Sequence, residues 1–113
     1  MESSDRSEIV FFDVETTIPT RPGQGYALLE FGAILVCPRK LVELASYSTL
    51  IRPNDLSLIS GKSARCNGIT SDSVSNAPPF SAIADHVFDL LHGACPFLPL
   101  SLPLFVSDLL SLF

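Results

Sequence analysis

The sequence predicts an α/β fold: three strands in a meander, one long helix, then an irregular apolar tail. Three observations predict it. An apolar, β-branched run opens the chain and ends in two carboxylates, Asp13 and Glu15. Two further apolar-leaning segments flank the turn Pro38-Arg39-Lys40. Apolar residues then recur at helical spacing across 80–91.

Ile9-Val10-Phe11-Phe12 reads as a buried strand whose far end, Asp13-Val14-Glu15, opens into a site. Pro19, Pro22, Gly23 and Gly25 make 18–25 a loop. Segment 27–37 is a near-continuous apolar run, and 41–51 mixes apolar and polar residues before Pro53. The three-residue turn between them predicts antiparallel pairing. Residues 54–76 are rich in Ser, Asn and Gly and read as connection, with at most short helical turns around 56–59 and 71–74. Phe80, Ile83, Ala84, Val87, Phe88 and Leu91 then form one apolar stripe. Pro78 and Pro79 suit the first turn of that helix, and Gly93 suits its C-cap. The expected organisation is a disordered polar N-terminus over 1–8, a folded unit over 9–93, and an atypical Pro/Leu-rich tail over 94–113.

At 113 residues the chain fits one small domain or part of one. Apolar residues make up 47% and charged residues 17%, which excludes a charge-driven disordered chain. A net charge of −5 removes the basic surface that drives non-specific nucleic-acid binding. It leaves open binding through divalent cations held by acids. Cys37, Cys66 and Cys95 are odd in number and form no close CxxC pair, so they read as free thiols of an intracellular protein, cytoplasmic or nuclear. The N-terminus has no apolar stretch of signal-peptide type. Pro96, Pro99, Pro103 and Asp108 argue against a membrane span in the tail.

Asp13 and Glu15 stand two apart on a strand, so their side chains share a face with Cα atoms about 6.6 Å apart. Two carboxylates so placed can converge on hard divalent cations, which take oxygen ligands. The simpler alternative is a solvated pair of acids leaving a strand, and the spacing alone leaves both open.

The longer series Phe12-Asp13-Val14-Glu15-Thr16-Thr17 resembles the first motif of the DEDD-type 3′→5′ exonucleases, which include polymerase proofreading domains and RNase T. Leu29-Glu30-Phe31-Gly32-Ala33-Ile34 resembles the family's second strand, and Leu50-Ile51-Arg52-Pro53 the end of its third. Gly68-Ile69-Thr70 and Ala77-Pro78-Pro79-Phe80 resemble the elements flanking its first helices. The loop after Thr17 departs from the pattern: Ile18 stands where a Gly usually follows, and this form resembles a plant branch of the family.

The resemblance implies a truncated ribonuclease H-like fold, a two-metal site using Mg²⁺ or Mn²⁺, and single-stranded DNA or RNA 3′ ends as substrate. By position, Asp13 and Glu15 would be catalytic metal ligands, and Thr16 and Thr17 would border the terminal nucleotide. Glu30 matches a position that is not a ligand. The family also implies an Asp on a strand after the helix, and a His followed five residues later by Asp. Here Leu91 lies five residues after His86 and Phe97 five after His92, so both histidines read as helix-surface residues. Asp108 follows no matching strand. The expectation is an exonuclease-domain protein lacking the later catalytic residues and inactive alone. The alternative is a non-catalytic isoform or gene-model fragment acting at most as a binding module. A phosphatase of the haloacid dehalogenase type would need Asp where Glu15 stands.

Overall fold

The computed structural model of the chain describes residues 8–92. Strands β1 (Ile9–Thr16), β2 (Leu28–Val36) and β3 (Glu43–Leu50) form one antiparallel sheet in the order β1-β2-β3, the meander the sequence predicts. Helices α1 (Gly61–Asn67), α2 (Ser71–Val74) and α3 (Phe80–His92) follow. The expectations for 1–7 and 93–113, including the Gly93 cap and the tail, lie outside the described residues.

Period-two burial marks the inner faces of β1 and β2. On β2, Leu29, Phe31, Ala33 and Leu35 are buried, while Leu28, Glu30, Gly32 and Val36 are half-buried and Ile34 is exposed. The run Ile9-Val10-Phe11-Phe12, expected to be a buried strand, is buried on one face only: on β1, Val10 and Phe12 are buried while Phe11 between them is exposed. β3 is mostly exposed along its length, consistent with its place at one edge of the sheet.

The described residues group into two compact units. The first comprises 8–12, 33–47 and 84–92, with Val10, Phe12, Ala33, Leu35 and Val87 buried. Its β2–β3 hairpin is closed by the Cys37 N–H donating to the Val42 carbonyl at 2.9 Å and the Leu41 N–H donating to the Cys37 carbonyl at 2.7 Å. In the same unit the rings of Tyr47 and His86 meet edge to face, centroids 4.3 Å apart.

The second unit comprises 13–32 and 48–83. Leu29, Ile69 and Val74 form its core, with Leu50, Ile59 and Ala77 packed against them. The Ile51 N–H donates to the Leu29 carbonyl at 2.8 Å, and the Arg52 N–H donates to the Pro78 carbonyl at 2.9 Å just before α3.

Helix α3 begins at Phe80, so Pro78 and Pro79 precede it and do not form its first turn, Pro79 being bridged to Arg52; the helix runs as the stripe predicts, but the stripe is narrower than its sequence. Ile83 and Val87 are buried, whereas Phe88 is 43% exposed. The expected turns near 56–59 and 71–74 appear as a 3₁₀ turn (Leu56–Leu58) and as α2.

The reading of 54–76 as connection with short turns needs correction at α1, a seven-residue helix. Its Gly, Ser, Cys and Asn are weak helix formers, and it carries no apolar stripe to reveal it. The caps supply the order instead. The Ser60 hydroxyl accepts the Ser63 N–H at 3.1 Å, and Gly68, at φ 76°, closes the C-terminus by donating to the Ala64 carbonyl at 2.7 Å.

Candidate active site

The site is built on the end of β1. Because the strand is unbroken through Thr16, Asp13 and Glu15 occupy alternate positions of one regular extended segment. Asp13 is exposed and Glu15 half-buried, so both carboxylates remain accessible where Val10 and Phe12 are not. Asp13 Oδ1 accepts the Val14 N–H at 3.0 Å, which leaves its other oxygen uncommitted in that bond.

Thr16 and Thr17 behave differently. Thr16 is half-buried, and its carbonyl accepts from Asn67 Nδ2 at 3.0 Å. Thr17 is 1% exposed. Its N–H donates to the Ala27 carbonyl and its Oγ1 accepts the Ala27 N–H, both at 2.9 Å. The two bonds close loop 18–26 at its base. Within the loop, Gln24 Oε1 accepts the Thr20 N–H at 2.7 Å, and Gly23 turns the chain at φ 82°.

Among the described residues no group of three or more His, Cys, Asp or Glu could hold a metal ion. Asp13 and Glu15 are thus a pair, not a complete ligand set. His86 lies exposed on α3 with its ring against Tyr47, the surface placement expected of it, and Glu30 is half-buried on β2. Among the described residues no helix is long and apolar enough to cross a membrane.

Sequence reasoning missed Asn67. Its amide joins the end of β1 to the α1–α2 corner, 51 residues away in sequence. The available signal was an Asn directly before Gly68-Ile69-Thr70, one of the segments that carry the family resemblance.

An α/β meander whose first strand ends in Asp-x-Glu-Thr, with a second Thr directly after it, is the arrangement of a ribonuclease H-like nuclease domain. The family model described as exonuclease, of RNase T type, matches residues 10–109. The chain belongs to that exonuclease family. It is 66% identical over 93 residues to protein NEN1 of Arabidopsis thaliana, covering 82% of this chain and 20% of the relative. It is 64% identical over 91 residues to Arabidopsis protein NEN2, covering 80% and 19%. Both are plant proteins, in keeping with the branch that the loop after Thr17 resembles. A solved structure of a 3′-exonuclease in 3′-end specific recognition of histone mRNA stem-loop shares the fold at TM-score 0.65 and 25% identity, over 76% of this chain and 39% of that one. The chain spans about a fifth of the length of these two curated relatives.

Proposed function

We propose that the chain contributes Asp13 and Glu15 to a 3′→5′ exonuclease site of two-metal type that hydrolyses terminal phosphodiesters of single-stranded DNA or RNA, and that alone it does not complete the reaction. The observation carrying this reading is the unbroken β1, which brings two accessible carboxylates to one strand end while its other face is buried. The fit to Mg²⁺ or Mn²⁺ rests on donor chemistry: two hard oxygen ligands, too few for a cage, suit a cation that takes further ligands from water and phosphate. When bound, such cations lower the pKa of a water and stabilise the leaving 3′ oxygen.

The remaining roles belong to the chain itself. Asp13 and Glu15 would hold the cations, and the backbone around Thr16 and Thr17 would border the terminal nucleotide. Thr17, buried with its hydroxyl bonded to Ala27, would act through the loop it fixes. The 3′-end specific recognition of an mRNA stem-loop by the structurally similar exonuclease supports a nucleic-acid end as substrate. The free thiols Cys37 and Cys66 favour an intracellular setting.

The test is Mn²⁺ binding to the 113-residue chain, followed by loss of the free-ion electron paramagnetic resonance signal. Binding abolished by Asp13→Ala and weakened by Glu15→Gln is the expected result. Binding indifferent to both substitutions would sink the assignment.

A further inference from the structure

We infer that Asn67 is a positioning residue for the carboxylate end of β1, a role that rests on the metal-site reading of Asp13 and Glu15. Its side-chain amide is used at both ends. Nδ2 donates to the Thr16 carbonyl at 3.0 Å, and Oδ1 accepts the Ile69 N–H at 3.0 Å. A backbone carbonyl can only accept and a backbone N–H can only donate, so these two partners fix which end of the amide is oxygen.

The Ile69 end is firm. Ile69 is 7% exposed and packs with Leu29 and Val74 in the core, and Gly68 turns the backbone through φ 76° to present Ile69 behind α1. Asn67 therefore transmits the position of a core residue to the Thr16–Thr17 peptide group, one residue beyond Glu15. On its other side, Thr17 is clasped to Ala27. The last turn of backbone before the loop is thus tied at two consecutive residues by two unrelated parts of the chain. Two carboxylates that share a cation must hold their spacing to a fraction of an ångström, and groups that orient ligands from behind are worth about 10 to 100-fold in metal affinity.

Asn67→Asp separates this role from simple electrostatics. It keeps an oxygen for the Ile69 N–H but sets a second oxygen against the Thr16 carbonyl. The added negative charge by itself would strengthen cation binding. Positioning predicts the opposite. Asn67→Thr is the uncharged companion, able to accept from Ile69 through its hydroxyl but too short to reach Thr16, and it serves if the Asp variant folds poorly.

The experiment titrates Mn²⁺ alone into the ¹⁵N-labelled 113-residue chain and follows paramagnetic broadening of the Asp13 to Thr16 amides. In the natural chain broadening should centre on these residues. In the variants it should need about tenfold more Mn²⁺ or greater, while amide shifts of Phe31 and Val74 stay in place. Equal or tighter binding by both variants overturns the role of Asn67 and leaves the metal reading intact. Absence of broadening in the natural chain overturns the metal reading, and the role of Asn67 falls with it.

Discussion

Thr17 and Ala27 are bonded twice across the base of a nine-residue loop, backbone to backbone and backbone to hydroxyl, each at 2.9 Å. Thr17→Val keeps the shape of the side chain and removes only the oxygen. The Ala27 N–H then loses its acceptor in a partly buried place, at a cost of about 1–3 kcal/mol. Urea denaturation of the chain should show a loss in that range, with Thr17→Ser costing less than half as much. A Val variant as stable as the natural chain would show that the clasp is incidental.

Most of the fold was legible because it rests on local pattern. The apolar run of β1, the turn at Pro38-Arg39-Lys40 and the spacing of Ile83 and Val87 can each be read within a few residues, although the run does not tell that Phe11 faces outward. The placement of Asp13 and Glu15 at alternate positions of one strand was legible for the same reason. What was not legible depends on distant partners. Nothing near Asn67 announces a bond to Thr16, and nothing near Thr17 announces Ala27 as the residue that occupies its hydroxyl. Helix α1 escaped because its stability lies in caps and packing, and its own residues argue weakly for a helix.

Leu41 offers a stabilising substitution. It sits at φ 53° in the β2–β3 turn, a left-handed conformation that costs an ordinary L-residue about 1–2 kcal/mol. It is also 77% exposed, so little burial is lost with its side chain. Leu41→Asn, tolerant of that conformation, should raise stability by about 0.5–1 kcal/mol in thermal or urea unfolding. Destabilisation would mean that the leucine makes a contact worth more than the strain.

The Cys37 thiol has its pKa lowered, first by the Lys40 backbone N–H, then by that of Arg39, with the charges of both side chains ranking behind and partial desolvation opposing. A pKa depressed in the folded state means that folding favours the thiolate. The resulting stabilisation is present above the unfolded-state pKa and is lost as pH falls through the folded one. Iodoacetamide modification of Cys37, followed by peptide mass spectrometry, should show its half-maximal rate below the pH found in urea-unfolded chain. Because the backbone bonds lead, 1 M salt should shift that midpoint little. A native midpoint at or above the unfolded one would contradict this ordering.

The activity expected of the isolated chain follows from counting groups. Metal-assisted hydrolysis needs a site that fixes coordination and orients its ligands, and among the described residues no group of three or more His, Cys, Asp or Glu could hold a metal ion, Asp13 and Glu15 supplying two carboxylates. A positioned general base contributes about 10² to 10⁴-fold. His86, the described histidine that could serve, has its ring against Tyr47 and lacks the Asp five residues on that the family's motif implies. A cation held by two carboxylates keeps mostly water as its other ligands and orients substrate poorly. The 113-residue chain should therefore release no nucleotides from 3′-labelled single-stranded DNA or RNA, in Mg²⁺ or Mn²⁺, above the level of its Asp13→Ala variant. Rapid 3′→5′ degradation that the substitution abolishes would show that further residues of the chain, or a second copy of it, complete the site.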